Sequence, residues 1–235
     1  EGGKFSTSQK RGVFMNQALD LFPSDYWRWW LLSNAPESSD ADFTWKSFQA
    51  CINKDLADVL GNFVSRLTKF TLSKFGKTIP EGSQYSKEEY NTISEIEKIF
   101  KKYDDAMTRI EIRKATSNLR KIWSIGNEYL QRSQPWMMIK TDEEKAAKVI
   151  RFGFNLMLFY SEISEPFIPE TSIKVKNCLG KLNNKLQWPS FKKDFNSIFE
   201  RVETGEEFKP IENLFKKIDD SQALDLEDRF EGSAD

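Results

Sequence analysis

Asn62 and Arg66 stand four residues apart within a stretch of helical periodicity, so both project from one stripe of a helix. An asparagine amide donates and accepts at a base edge, and a guanidinium offers a planar donor fork to a base or a phosphate. Trp136 follows Gln134-Pro135 directly after a helical segment. A tryptophan at such a junction either caps the core or presents its ring for stacking, and unpaired RNA bases stack on aromatic planes at about 1–3 kcal/mol each. At the amino end, Gly2-Gly3-Lys4-Phe5-Ser6-Thr7-Ser8 combines glycine-freed amides, one lysine and three hydroxyls. That is what a triphosphate needs from a loop, and a lysine stabilises charge on leaving pyrophosphate without proton transfer. The plainer counterparts are a solvated stripe for Asn62 and Arg66, core packing for Trp136 and a flexible terminus for the glycine-led loop.

Composition narrows the chemistry further. Of 235 residues, 35 are basic, 36 acidic and none is histidine. This removes histidine-based catalytic dyads and triads, histidine-ligated metals and imidazole bases. Two cysteines, Cys51 and Cys178, lie far apart without CxxC spacing, so neither a zinc knuckle nor a disulfide framework is expected, no metal site is predicted, and a reducing compartment is the default. The longest uncharged apolar run, Phe152 to Tyr160, is too short to span a bilayer. The opening Glu1-Gly2-Gly3-Lys4 lacks a signal-peptide core and an initiator methionine, and reads as a piece of a longer protein. Charge is uneven: residues 43–140 hold 17 basic and 11 acidic side chains, whereas residues 200–235 hold 5 and 12. The middle is therefore expected to meet an anion, with the tail a solvated appendage.

The elements that must position these residues are helical almost throughout. From Phe43 to Phe75, Phe48, Ile52, Leu56, Val59, Leu60, Phe63, Leu67 and Phe70 recur at helical spacing, opposite a polar face of Lys54, Asp58, Asn62, Arg66 and Lys69. Gly76 and Pro80 stop it. Ser86-Lys87-Glu88-Glu89 reads as a capping box opening a helix through Tyr103. A further helix is expected from Ala106 to Gln131, with Ile110, Leu119, Ile122, Trp123 and Leu130 inward and Pro135 ending it. Thr141-Asp142-Glu143-Glu144 caps another, running to Ile163 and halted by Pro166. Short helices are expected over Gly12–Asp20, the aromatic Ser24–Ser33 and Ser172–Leu182, then an irregular acidic stretch fraying over Leu224–Asp235. Long helices joined by short loops make an all-α antiparallel helix bundle.

Lys4-Phe5-Ser6-Thr7-Ser8, Arg11-Gly12-Val13-Phe14 and Asp25-Tyr26-Trp27-Arg28-Trp29-Trp30-Leu31-Leu32 resemble the signature-loop region of class I aminoacyl-tRNA synthetases. There, K-x-S-K-S precedes a D-x-x-R-Y-Y-L-L-like segment. Within that class the chain resembles the methionyl-tRNA synthetases. Gly61-Asn62-Phe63-Val64-Ser65-Arg66, Gln134-Pro135-Trp136 and Leu214-Phe215-Lys216-Lys217-Ile218 match family motifs in order. The resemblance covers roughly residues 2–220. It departs at Thr7, where the family has a second signature lysine; Lys10 or Arg11 are candidates to substitute.

The resemblance implies that Asn62, Arg66 and Trp136 read the CAU anticodon of tRNA(Met). It implies catalytic roles for Lys4, Ser6 and Ser8 at the phosphates of ATP, accompanied by Mg2+, as methionine is adenylated, with Lys4 binding ATP. It further implies three parts: residues 1–41 as signature loop and connecting segment, 42–170 as anticodon-binding bundle, and 171–235 as terminal helix and acidic tail. The family's histidine-containing nucleotide-binding motif is not in this sequence, so the chain alone is expected not to catalyse methionine-dependent pyrophosphate exchange. A cytoplasmic or organellar location is implied, without a membrane, and the oligomeric state stays open. Two other readings remain: the bundle of another class I synthetase, or a helical protein-interaction module docking through Trp136 and Tyr26–Trp30.

Overall fold

Three non-helical backbone turns fold the long helices back on themselves. Gly76 (φ +77°), Ile110 (φ +60°) and Gln134 (φ +44°) all adopt left-handed conformations, which end a right-handed helix by geometry alone. The computed structural model describes residues 12–37, 40–181, 188 and 194–230. These turns follow α4 (Asn62–Lys74), α5 (Lys87–Thr108) and α6 (Ile112–Ser133) in that order. Ahead of them lie α1 (Met15–Leu21), α2 (Ser24–Ser33) and α3 (Trp45–Cys51); after them come α7 (Pro135–Met138), α8 (Glu143–Ser164), α9 (Pro169–Cys178) and α10 (Asp220–Phe230). Among the described residues the only β feature is an isolated antiparallel bridge, Thr78 to Glu207. The architecture is an all-α bundle.

Helix starts follow the local chemistry. The Glu89 carboxylate accepts from the Ser86 backbone N–H at 2.7 Å, the reciprocal half of the expected capping box. Asp142 accepts from Lys145 N at 3.0 Å to open α8. From Ala146 to Ser164 every α8 side chain except Arg151 is buried, so α8 is the central rod around which the others pack. Its buried charged side chains are paired: Lys148 meets Glu89 at 3.0 Å, and Glu162 meets Arg201 at 2.6 Å. The Glu89 carboxylate, fully buried, also accepts from Tyr129 Oη at 2.6 Å, tying α5, α6 and α8 together.

Several expectations are corrected. The helix foreseen from Ala106 begins instead at Ile112, because α5 runs on to Thr108 and the chain breaks at Arg109–Glu111. Ile110 is therefore not inward: it sits in that turn, 75% exposed. The helix foreseen over Phe43–Phe75 is continuous but changes pitch, with a π-helical segment over Ile52–Gly61 between α3 and α4. The terminal short helix begins at Pro169, where proline suits a first turn, and ends at Cys178 rather than Leu182.

The acidic tail is not a solvated appendage. Phe208, Leu214, Phe215, Ile218, Ala223, Leu226 and Phe230 are all buried, and 220–230 is helical where fraying was expected from Leu224. Asn53 pins this strap by accepting from Ile218 N at 2.9 Å and donating to Ile218 O at 2.7 Å. The aromatic run of α2 is bolted inside as well. Asp25 accepts from Thr171 N at 2.6 Å at the start of α9, Tyr26 Oη donates to Lys216 O at 2.8 Å, and Trp29 lies 4.8 Å from Trp123 between ring centroids. Tyr26, Trp29 and Trp30 are buried and cannot form a docking surface. Trp45 and Trp123 sit in the core, and the half-buried Trp188 donates to Asp104 at 2.8 Å.

Candidate nucleic-acid interface

The π-helical segment ends at Gly61, one residue before Asn62. A Cβ at Gly61 would lie 3.1 Å from the Phe215 ring and 3.2 Å from Leu56 O, so glycine lets the C-terminal strap approach closely here. Asn62 then opens α4 exposed, and Arg66 follows one turn on, half-buried. On the facing helix α6, Asn127 and Gln131 repeat the four-residue spacing. Asn62 Nδ2 donates to Asn127 Oδ1 at 3.2 Å, and Arg66 Nη2 to Gln131 Oε1 at 3.4 Å. The two amide-bearing rungs lie side by side across the α4–α6 interface.

Trp136 arrives by a different route. Left-handed Gln134 reverses the chain out of α6, and Pro135, buried, occupies the first position of α7 with its fixed φ already suited to the turn. Trp136 is thereby laid against Arg66, whose guanidinium carbon stands 4.9 Å from the ring centroid. Arg66, Trp136, Leu67, Phe70 and Ile150 line a groove of about 310 Å³, apolar at its floor and cationic at its lip. Among the described residues Arg66 makes no ion pair, so its charge is not neutralised by a carboxylate. The three residues singled out for base recognition thus stand on one face. An aromatic plane, a guanidinium and an amide beside an open apolar groove can stack on an unpaired base and hydrogen-bond its edge.

Other chemistry is weaker. Burial pushes the Cys51 thiol up to about 12, helped by Asp55, and burial does the same to Cys178, so neither is a thiolate nucleophile at neutral pH. Among the described residues no cluster of three or more His, Cys, Asp or Glu side chains could hold a metal. Lys4, Ser6 and Ser8, together with Thr7, Lys10 and Arg11, lie outside the described residues. Sequence reasoning missed Asn127 and Gln131; their four-residue spacing on the same polar stripe of α6 was the available signal.

A family model for the anticodon binding domain of methionyl tRNA ligase matches residues 79–235, and one for class I tRNA synthetases (M) matches residues 1–68. The chain belongs to the methionyl-tRNA synthetase family. Asn62 and Arg66 fall within residues 1–68 and Trp136 within residues 79–235, so the candidate interface draws on both matched regions. Methionine–tRNA ligases of Cereibacter sphaeroides and Jannaschia sp. are each 49% identical to it, covering 99% and 100% of this chain. The chain spans about 40% of the length of these curated relatives. The crystal structure of apo Mycobacterium tuberculosis methionyl-tRNA synthetase shares the fold at a TM-score of 0.76 and 18% identity, covering 88% of this chain and 41% of that one.

Proposed function

We propose that this chain supplies the anticodon-reading part of a methionine–tRNA ligase, and that Asn62, Arg66 and Trp136 select tRNA(Met) through the CAU anticodon. One observation carries the reading: Arg66 stacks over Trp136 at the lip of an open groove, with Asn62 one turn away. A core tryptophan needs no cation on its face, and a solvated arginine needs no ring beneath it. Together they form a platform for an unpaired base and the charge to hold its phosphate. Kinship with methionine–tRNA ligases supports the choice of tRNA. In the whole enzyme ATP and methionine form the adenylate before transfer to the tRNA end, and Lys4, Ser6 and Ser8 steady the ATP phosphates with Mg2+. The cytoplasm is the expected site of action, and among the described residues no helix is long and apolar enough to cross a membrane.

Binding of anticodon stem-loops that differ only in their three anticodon bases tests this. The CAU loop binds tightest, and affinity falls steeply with added salt, because phosphate contacts release counterions. Equal affinity for every loop removes the anticodon assignment. Affinity that hardly responds to salt removes the nucleic-acid reading.

A further inference from the structure

The orientation of the Asn62 amide is dictated by its neighbours. Asn127 Nδ2 lies 2.9 Å from the Val59 carbonyl, which can only accept, so that edge of Asn127 must be the NH2 group. Its Oδ1 therefore faces Asn62, and the Asn62 edge 3.2 Å away must be Nδ2. Flipping either amide sets two carbonyl oxygens against each other or strands the Val59 pairing. The Val59 carbonyl belongs to the π-helical segment, whose changed pitch ends at Gly61. Asn62 is thus left with one acceptor oxygen and one remaining N–H for a partner.

That polarity selects among base edges. Cytosine and adenine offer an exocyclic amine beside a ring-nitrogen acceptor, matched by an amide oxygen and N–H in one arrangement. Uracil and guanine offer a carbonyl beside a ring N–H, which needs the amide turned over. An untethered asparagine reads either, because it flips at little cost. We propose that Asn127 is a positioning residue that fixes the polarity of Asn62, so that the interface accepts an amino-bearing base and rejects its carbonyl-bearing counterpart. This rests on the anticodon reading above and names the chemistry by which it discriminates. The CAU anticodon contains two amino-bearing bases, its cytosine and its adenine.

The test measures affinities of the wild-type chain, N127A, N62A and the double variant for stem-loops carrying CAU, UAU and CGU. In N127A the preference for CAU over UAU or over CGU falls about three- to tenfold, the worth of one oriented hydrogen bond. Affinity for the disfavoured loop changes less than about twofold, since stacking and phosphate contacts persist. In the N62A background N127A causes no further loss of preference. The assignment is overturned if N127A keeps both preferences, if it weakens all three loops equally as a merely structural residue would, or if its effect adds fully to that of N62A. A wild-type chain that binds CAU, UAU and CGU alike defeats the anticodon reading itself, an outcome distinct from the failure of Asn127 alone.

Discussion

Replacing Trp136 by alanine removes the platform under Arg66 while leaving Leu67, Phe70 and Ile150 as the groove floor. The ring is half-buried and sits at the rim, so little of the core depends on it. Stem-loop affinity is expected to fall by about 1–3 kcal/mol. The melting temperature is expected to stay within about 4 °C of wild type; a large stability loss with intact affinity would make Trp136 a packing residue. Arg66→Lys separates charge from planarity. Lysine keeps the salt dependence of binding but cannot stack its head on the indole or present a fork, so preference for the CAU loop weakens while the salt slope holds. A lost salt slope with retained preference would reverse these roles. The spacing of Asn62 and Arg66 was readable because it lies within one helix, where 3.6 residues per turn fix who shares a face. The contact of Arg66 with Trp136 spans 70 positions and no local rule reaches it.

Among elements, the decisive contacts are those where backbones come close. Gly126 on α6 has no room for a side chain: a Cβ there would lie 2.8 Å from both Phe63 of α4 and the Tyr160 hydroxyl of α8. Alanine is a better helix former by about 1 kcal/mol, but overpacking at a three-helix junction costs about 1–3 kcal/mol. Gly126→Ala is thus expected to destabilise the chain in thermal unfolding, against its propensity. Unchanged or raised stability would show the junction to be slack.

The buried Glu89–Lys148–Tyr129 cluster makes a second element-scale prediction. Burial raises the Glu89 carboxyl, but hydrogen bonds from Tyr129, the Ser86 backbone and Lys148 outweigh it and hold the group below its ordinary value of 4.5. A depressed carboxyl stabilises the fold above that ordinary value, and the contribution is lost as pH falls through the lowered one. Glu89→Gln leaves Lys148 buried without its counter-charge. It is expected to cost about 3–5 kcal/mol at neutral pH and to flatten the acid side of the stability profile. Circular dichroism across an acid titration checks both. The capping boxes and apolar stripes that place these helices were legible beforehand. The π-helical pitch of residues 52–61 was not, since its apolar positions fit an ordinary helix equally well.

At the scale of the molecule, the carboxyl-terminal strap decides whether the two ends hold together. Phe215 lies against Gly61 and Tyr26, Ile218 is held by Asn53, and Phe230 packs 5.5 Å from Trp45. Each buried large apolar side chain contributes about 1.5–3 kcal/mol, and a domain's whole margin is about 5–15 kcal/mol. Removing residues 211–235 strips at least five such side chains. The shortened chain is therefore expected to lose cooperative unfolding, or to melt far below the full chain. A truncated chain with unaltered melting would return the strap to the role of a solvated tail.

The amino-acid order alone determined the helical class, most helix starts, the apolar faces and the family motifs, because helix periodicity, caps and motif spacing are all local. It misjudged the tail, since net charge of −7 over residues 200–235 says nothing about where the interleaved Phe215, Leu226 and Phe230 point. It also could not distinguish an inward Ile110 from an exposed one, because the turn at Arg109–Glu111 is set by how α5 and α6 pack. Only the tertiary structure brought Trp136 over Arg66 and set Asn127 against Asn62. Those pairings depend on the angle at which two helices cross and on one left-handed residue at Gln134, and such geometry is fixed by the packing of the whole core.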